Sequence, residues 1–250
     1  VRAREELIRR NPARIPTDLR SIRAVAAAYA DVGEHGVASG LFRGLIAGAF
    51  QAEAGWSDLL TARGREVEGL SALGTLLESY PVSNGTAARA LTRATRFREL
   101  RRPATVPGRA GAPMDEEGLA ALRSFVAHYA ETPLAAPAAY ALVDALRRTR
   151  ALDEAEREAT AFPRRFPESA FVDDALYFLM DTRLQKFEAA PTPATAGPVL
   201  ESGDRLVKEQ FPAPNGSKQW SEFAPRAWHA IARVRHVLGW CGPVPAGPEG

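Results

Sequence analysis

Cysteine is almost missing: Cys241 is the single thiol in 250 residues, so no intrachain disulfide can staple the fold. Lysine is nearly as scarce, at Lys186, Lys208 and Lys218, while arginine is abundant. Arginine forks suit phosphate and carboxylate recognition. Here they are interleaved with Glu and Asp on helical faces, and the formal net charge is only +2, so no nucleic-acid partner is expected. No run of about 18 uncharged apolar residues occurs, and the stretch from Leu45 to Phe50 is far too short to span a membrane. Sustained apolar–polar alternation is missing and β-branched clusters are rare, which argues against a sheet-based fold. Gly-x-Ser-x-Gly, a glycine-rich dinucleotide loop, a phosphate-binding Gly-Lys-Ser/Thr and His-Glu-x-x-His are all absent. With no cofactor motif and no nucleophile signature, the expectation is a non-enzymatic protein without a cofactor.

The residues that are present favour helix. Ala, Leu, Arg and Glu dominate, and all are good helix formers. Pro and Gly gather at Asn11-Pro12, Tyr80-Pro81, Arg102 to Pro113, Thr132-Pro133, Phe166-Pro167, Pro191 to Pro198 and Phe211 to Gly216. The segments between them run about 12 to 20 residues with helical period, the length of one arm of a helical hairpin. From Ile22 the steps of three and four place Ile22, Val25, Ala26 and Tyr29 on one helix face. Gly33 and Gly36 then break the helix, and Ala38, Phe42 and Leu45 line a face of a second one. Two amphipathic helices joined by a short turn predict an antiparallel αα-hairpin.

At these residues the chain resembles the tetratricopeptide repeat family, whose repeat has 34 residues. With Ile22 at the fourth position, Val25, Ala26, Tyr29, Gly33, Ala38, Phe42 and Leu45 fall on the family's packing positions, and Phe50 stands where the family often has Pro. Ala38 is small where two helices cross closely. A second match places Leu142, Val143, Leu146, Ala155, Ala159, Phe162 and Pro167 on equivalent positions. There Arg150 replaces the usual turn Gly, and Pro163 is expected to kink the helix or end it early. The segment Phe125 to Tyr140 also aligns with Phe162 to Tyr177, an offset of 177 − 140 = 37 residues. An aromatic residue followed by Pro or Ala recurs at Tyr80, Tyr129, Phe166 and Phe211, each time followed by a Ser, Thr or Asn suited to start the next helix. Over Ser71 to Pro212 this junction resembles tetratricopeptide lipoproteins of bacterial outer-membrane assembly and Tol-Pal-type periplasmic adaptors. That resemblance implies a bacterial cell-envelope setting, favoured over the cytoplasm, and a membrane-proximal complex.

The expected fold is all-α: a right-handed TPR-like solenoid, an α–α superhelix of about five helical hairpins near 17–52, 56–80, 86–130, 134–166 and 170–211, closed by a helix from Ser221 to Leu238. One domain covers 1–240, with an insertion loop at 101–113, and a flexible Pro/Gly tail at 241–250. Arg2 to Arg10 reads as helix. The Val1 start is compatible with a removed leader, a lipid-anchored start or a larger parent protein.

What the resemblance implies is a scaffold that binds a peptide, helix or loop of another protein in its concave groove. Candidate contacts, chosen as polar positions that packing does not explain, are Arg23, Arg93, Asp144, Arg147 and Asp181. Trp220 and Trp228, with Trp240 near the C-terminus, either cap the stack or dock a partner, since Trp is enriched at interface hot spots. The other aromatics, Tyr29, Phe42, Tyr140, Phe162, Phe166, Tyr177 and Phe178, are expected in the core. Asp173-Asp174 is accounted for as helix N-terminal capping. His229, His236 and Cys241 are too few and too badly spaced for a metal site; the histidines are expected at the surface or in the groove. The basic loop carrying Arg101, Arg102 and Arg109 is either a tether for an acidic partner or lipid headgroups, or a linker with incidental charge. Competing readings are a regulatory or accessory segment of a larger protein, including an enzyme whose catalytic domain lies elsewhere, and a nucleic-acid-binding helical repeat.

Overall fold

A computed structural model describes residues 19–101 and 113–240. The helix expected at Arg2 to Arg10, the loop residues Arg102 and Arg109, Cys241 and the tail lie outside them. The described chain is all-α, built of successive antiparallel helical hairpins of the tetratricopeptide-like kind, with one small β-hairpin. It falls into two compact units, residues 1–89 and 90–250, and helix α4 passes from one to the other.

In the first unit, α1 (Leu19–Asp31), α2 (His35–Ala62) and α3 (Glu66–Ser79) pack in sequence. The turns at Gly33 and Gly64 have φ of +83° and +75°, a left-handed conformation that L side chains resist. Val25 and Tyr29 of α1 pack on Ala38 at the start of α2, as the repeat phase predicts. Gly36 does not break the chain; it lies inside α2, which then runs through the expected boundary near residue 52. Phe50, standing where a Pro would stop the helix, instead buries against Ala54 and Leu73. Phe42, expected in the core, is 39% exposed among the described residues. At the α2–α3 crossing Ser57 Oγ donates to the Gly69 carbonyl at 2.7 Å. A Cβ on Gly69 would meet the Ser57 carbonyl oxygen at 2.7 Å, so the crossing demands glycine.

α4 (Asn84–Glu99) begins with a reciprocal cap: the Thr86 amide donates to Ser83 Oγ at 3.2 Å and the Ser83 amide to Thr86 Oγ1 at 2.9 Å. The ends of the 101–113 insertion are drawn together by an antiparallel bridge between Arg101 and Pro113.

The second unit continues with α5 (Asp115–His128), α6 (Ala135–Arg148), α7 (Leu152–Arg165), α8 (Val172–Ala189), α9 (Pro193–Lys208) and α10 (Ala224–Val237). Each helix packs on the next, and α8 also touches both α6 and α10, so these three form one layer backed by α5, α7 and α9. Leu142, Val143, Leu146, Ala155, Ala159 and Phe162 are all buried, as the repeat phase requires. Arg150, at the turn position usually held by Gly, takes φ of +59°.

Three expectations are corrected here. Pro163 does not end α7, which persists to Arg165; the missing N–H removes one bond, to the Ala159 carbonyl, in a final turn that packing holds in place. The Pro191–Pro198 stretch is not a break throughout, because α9 starts inside it at Pro193 behind a Thr192–Thr195 capping box. Phe211-Pro212 is not a helix-to-helix junction: Gln210–Pro212 pairs antiparallel with Lys218–Trp220 as strands β1 and β2. The turn between them is pinned by Ala213 N–H to the Ser217 carbonyl at 2.8 Å, with Gly216 at φ +79°.

Candidate protein-interaction surface

Phe162 is fully buried in the second unit, but Tyr140, Tyr177 and Phe178 are only half-buried. With Phe171 and Phe223 they form a ladder of rings across α6, α8 and the start of α10. Tyr140 stacks between Phe171 (4.9 Å) and Phe178 (5.3 Å). Tyr177 lies beside Phe178 at 5.8 Å and stacks on Phe223 at 4.4 Å. The rings stack largely on one another, the Tyr140 hydroxyl donates to Asp174 and the Tyr177 hydroxyl accepts from Arg226. Two guanidiniums already use the ladder: Arg147 lies 4.7 Å over Phe178, and Arg226 lies 5.4 Å from Tyr177.

The polar candidates divide by position. Asp144, Arg147 and Asp181 are brought together. Asp144 is 8% exposed and accepts from Arg98 Nη2 at 2.8 Å and Arg148 Nε at 3.1 Å. Arg147 reaches Asp181 at 2.9 Å, and Gln185 donates to the same Asp181 oxygen at 3.0 Å. Packing therefore accounts for Asp144, which ties α6 to α4. Arg93 lies 5.1 Å over Phe97 on α4 and Arg23 is exposed on α1 of the first unit, so neither joins this cluster. Trp228 packs against the second unit's core and covers it, whereas Trp220 on β2 is 57% exposed. His229 and His236 are exposed on α10.

Asp173 and Asp174 are not a simple cap. The residue preceding α8 is Phe171, with no side-chain capping bond. Asp173 is buried; it accepts from the Asp174 amide at 3.0 Å and the Ser221 hydroxyl at 3.4 Å. Burial and then the neighbouring charges of Asp173 and Glu222 push Asp174 up to about 6, against the help of the Tyr140 hydroxyl at 3.5 Å. Burial, with the charges of Asp174 and Asp144, pushes Tyr140 up to about 12. Burial likewise raises Asp173. The contrast with Glu156 between α7 and α8 is instructive. Burial pushes that carboxyl up too, but hydrogen bonds from Lys186 (2.7 Å) and Arg183 (2.9 Å) outweigh it and hold it below the usual range. Among the described residues, Asp173, Asp174 and Glu222 have no such cation.

The first unit has concavities of its own. A cleft of about 480 Å³ opens between α2 and the α3–α4 junction, walled by Ile46, Phe50, Tyr80 and Val82 with Arg43 at its edge. A shallower one of about 310 Å³ lies by Trp56. Among the described residues no helix is long and apolar enough to cross a membrane.

No family model matches the chain, and no curated protein matches it in sequence. Among solved structures it is similar to the nearly identical TPR-like repeats of a Podospora anserina protein assigned as a kinesin light chain, at 12% identity and a TM-score of 0.47. That likeness covers 78% of this chain and 89% of the other. It is a loose one, and the architecture rests on the helix pairing and buried repeat positions given above.

Proposed function

We propose that this chain is a protein–protein interaction scaffold whose docking surface is the layer formed by α6, α8 and α10, and that it has no catalytic activity of its own. The observation that carries the reading is the ring ladder. Five half-buried aromatic side chains pack against the second unit's core and stack on one another beside the Asp144–Arg147–Asp181 network, leaving part of each ring accessible. A rigid, amphipathic surface loses little side-chain entropy on binding, which is what makes an aromatic cluster an effective anchor. The near-neutral net charge of +2, with basic residues interleaved among acids, disfavours a polyanionic partner such as nucleic acid. The bacterial cell-envelope setting is part of the proposal and is supported by the aromatic-Pro/Ala-x-Ser/Thr junctions of the sequence.

The reading is tested by site-specific photo-crosslinking in lysate of the native organism, with the crosslinker at Gln185 on α8 or, as a control, at exposed Arg164 on α7. A discrete adduct from Gln185 and none from Arg164 is expected. Adducts from Arg164 alone, or none from Gln185, would overturn the assignment of this layer.

A further inference from the structure

We infer that the occupant of the α6–α8–α10 layer is a partner segment that inserts an arginine or lysine side chain beside Asp174, its aliphatic stem lying along the edges of the ring ladder. This rests on the scaffold reading above and specifies its chemistry.

The charge pattern points one way. The second unit pairs its other half-buried acids on this layer: Asp144 with three arginines, and Asp181 with Arg147. Buried Asp173 and half-buried Asp174, with exposed Glu222 beside them, break that habit. The Asp173 and Glu222 charges lie close enough to raise Asp174, yet no Arg or Lys among the described residues pairs with any of the three. Asp173 is buried and spends its oxygens on the Asp174 amide and Ser221. Asp174 is the member that reaches the surface, and its one side-chain partner is the Tyr140 hydroxyl at a long 3.5 Å. Half-buried charge without a counter-ion is unfavourable in the free protein, and an incoming cation relieves it.

The surroundings specify a side chain rather than a free ion. Tyr140, Phe171 and Phe178 flank Asp174's end of α8 with apolar ring edges. Lys and Arg combine a charged head with an apolar stem, which fits a carboxylate set beside aromatic edges. The protein does the same with its own residues: Arg147 lies over Phe178 while reaching Asp181, and Arg226 lies near Tyr177 and Phe223 while donating to the Tyr177 hydroxyl at 3.4 Å. Asp174 is the carboxylate of this ladder that has the rings and lacks the guanidinium.

The test is selection from a phage-displayed random 12-residue peptide library on the intact chain, followed by affinity measurement of the enriched peptides. The expected outcome is enrichment of peptides with Arg or Lys next to apolar residues. Their affinity should drop at least tenfold with Asp174→Asn and with citrulline or norleucine in place of the peptide's cation. Asp174→Asn is nearly isosteric, and an unchanged helical circular dichroism spectrum separates lost binding from lost fold. Peptides that require Tyr140, shown by loss with Tyr140→Ala, but are indifferent to Asp174→Asn overturn this inference and leave the scaffold reading standing. If no enriched peptide depends on either residue, both fall.

Discussion

The first unit's long helix and the second unit's paired helices are the same structural element held in two different ways. α2 carries Gly36, Gly40, Gly44, Gly48 and Gly55 within 28 residues, and leaves Val37, Phe42, Ile46, Trp56 and Leu59 exposed. α6, α7 and α8 contain no glycine, and are cross-linked by charge: Arg147–Asp181, Arg183–Glu156 and Lys186 with Asp153 and Glu156. Each interior glycine costs about 1 kcal/mol relative to Ala. The helix of the first unit is therefore maintained by its contacts with α1 and α3 against a poor intrinsic tendency, while those of the second would be favoured by sequence and packing together. A repeat that is locally inconsistent opens more readily, and helical repeats are stable only through their neighbours.

The comparison is tested first by core truncation. Phe162→Ala, in the large core of the second unit, should cost about 4 kcal/mol, and Phe50→Ala, beside an open cleft that can collapse, about 2 to 3 kcal/mol. Denaturant titration with a probe in each unit reads the two losses, and equal values would dissolve the contrast. Next is the charge anchor. Asp144→Ala leaves the Arg98 guanidinium, 16% exposed at its side chain, without its carboxylate, and should cost about 3 kcal/mol. A double-mutant cycle with Arg98→Ala should return most of that as coupling.

The third test works in the opposite direction. A methyl added at Gly40 or Gly44 meets no atom within 4 Å, so Gly40→Ala and Gly44→Ala should each stabilise the first unit by about 1 kcal/mol. Slower amide hydrogen exchange in α2, with α6–α8 unchanged, would sharpen the comparison; unaltered exchange would break it. The smallest effect expected is on pH dependence. Asp174 holds its proton up to about 6 in the folded chain, against about 4 when unfolded, so folding is favoured below pH 4 and that advantage is lost as the pH rises through 6. Asp174→Asn should therefore change stability little at pH 4 and raise it by about 1 kcal/mol at pH 8, the size expected after screening at a partly exposed site. Thermal melts of both proteins across that range decide the sign.

The second unit was readable in the sequence because its local signals agree. Leu142, Val143 and Leu146 share one face, Ala155, Ala159 and Phe162 the facing one, and polar turns separate them. The first unit is legible as far as Ala38 and not beyond, because the position near residue 50 where a Pro would stop the helix holds a phenylalanine, and tertiary packing carries the helix on to Ala62. The β-hairpin escaped notice because three-residue strands give no periodicity, although Asn215-Gly216 is the turn signal that could have found it. The proposed interaction surface is half legible. Arg147 and Asp181 were singled out, but the rings around them were assigned to the core, since periodicity reports which face of a helix is apolar and not whether a neighbour covers it. Asp174 went unrecognised because its lack of a cation is a property of three helices that no local pattern encodes.

α2 also sets how the first unit responds to load. At 1.5 Å per residue its 28 residues form a beam about 42 Å long, with α1 fastened near one end through Val25, Tyr29 and Ala38 and α3 near the other through Phe50, Ala54 and Leu73. The span between the two fastenings contains Gly44 and Gly48, where an added Cβ would meet no atom within 4 Å among the described residues. Tension entering at α1 passes along that span on its way to α3, so under a pulling force the span is expected to bend or yield before either bolted end, which makes it the source of the unit's mechanical compliance.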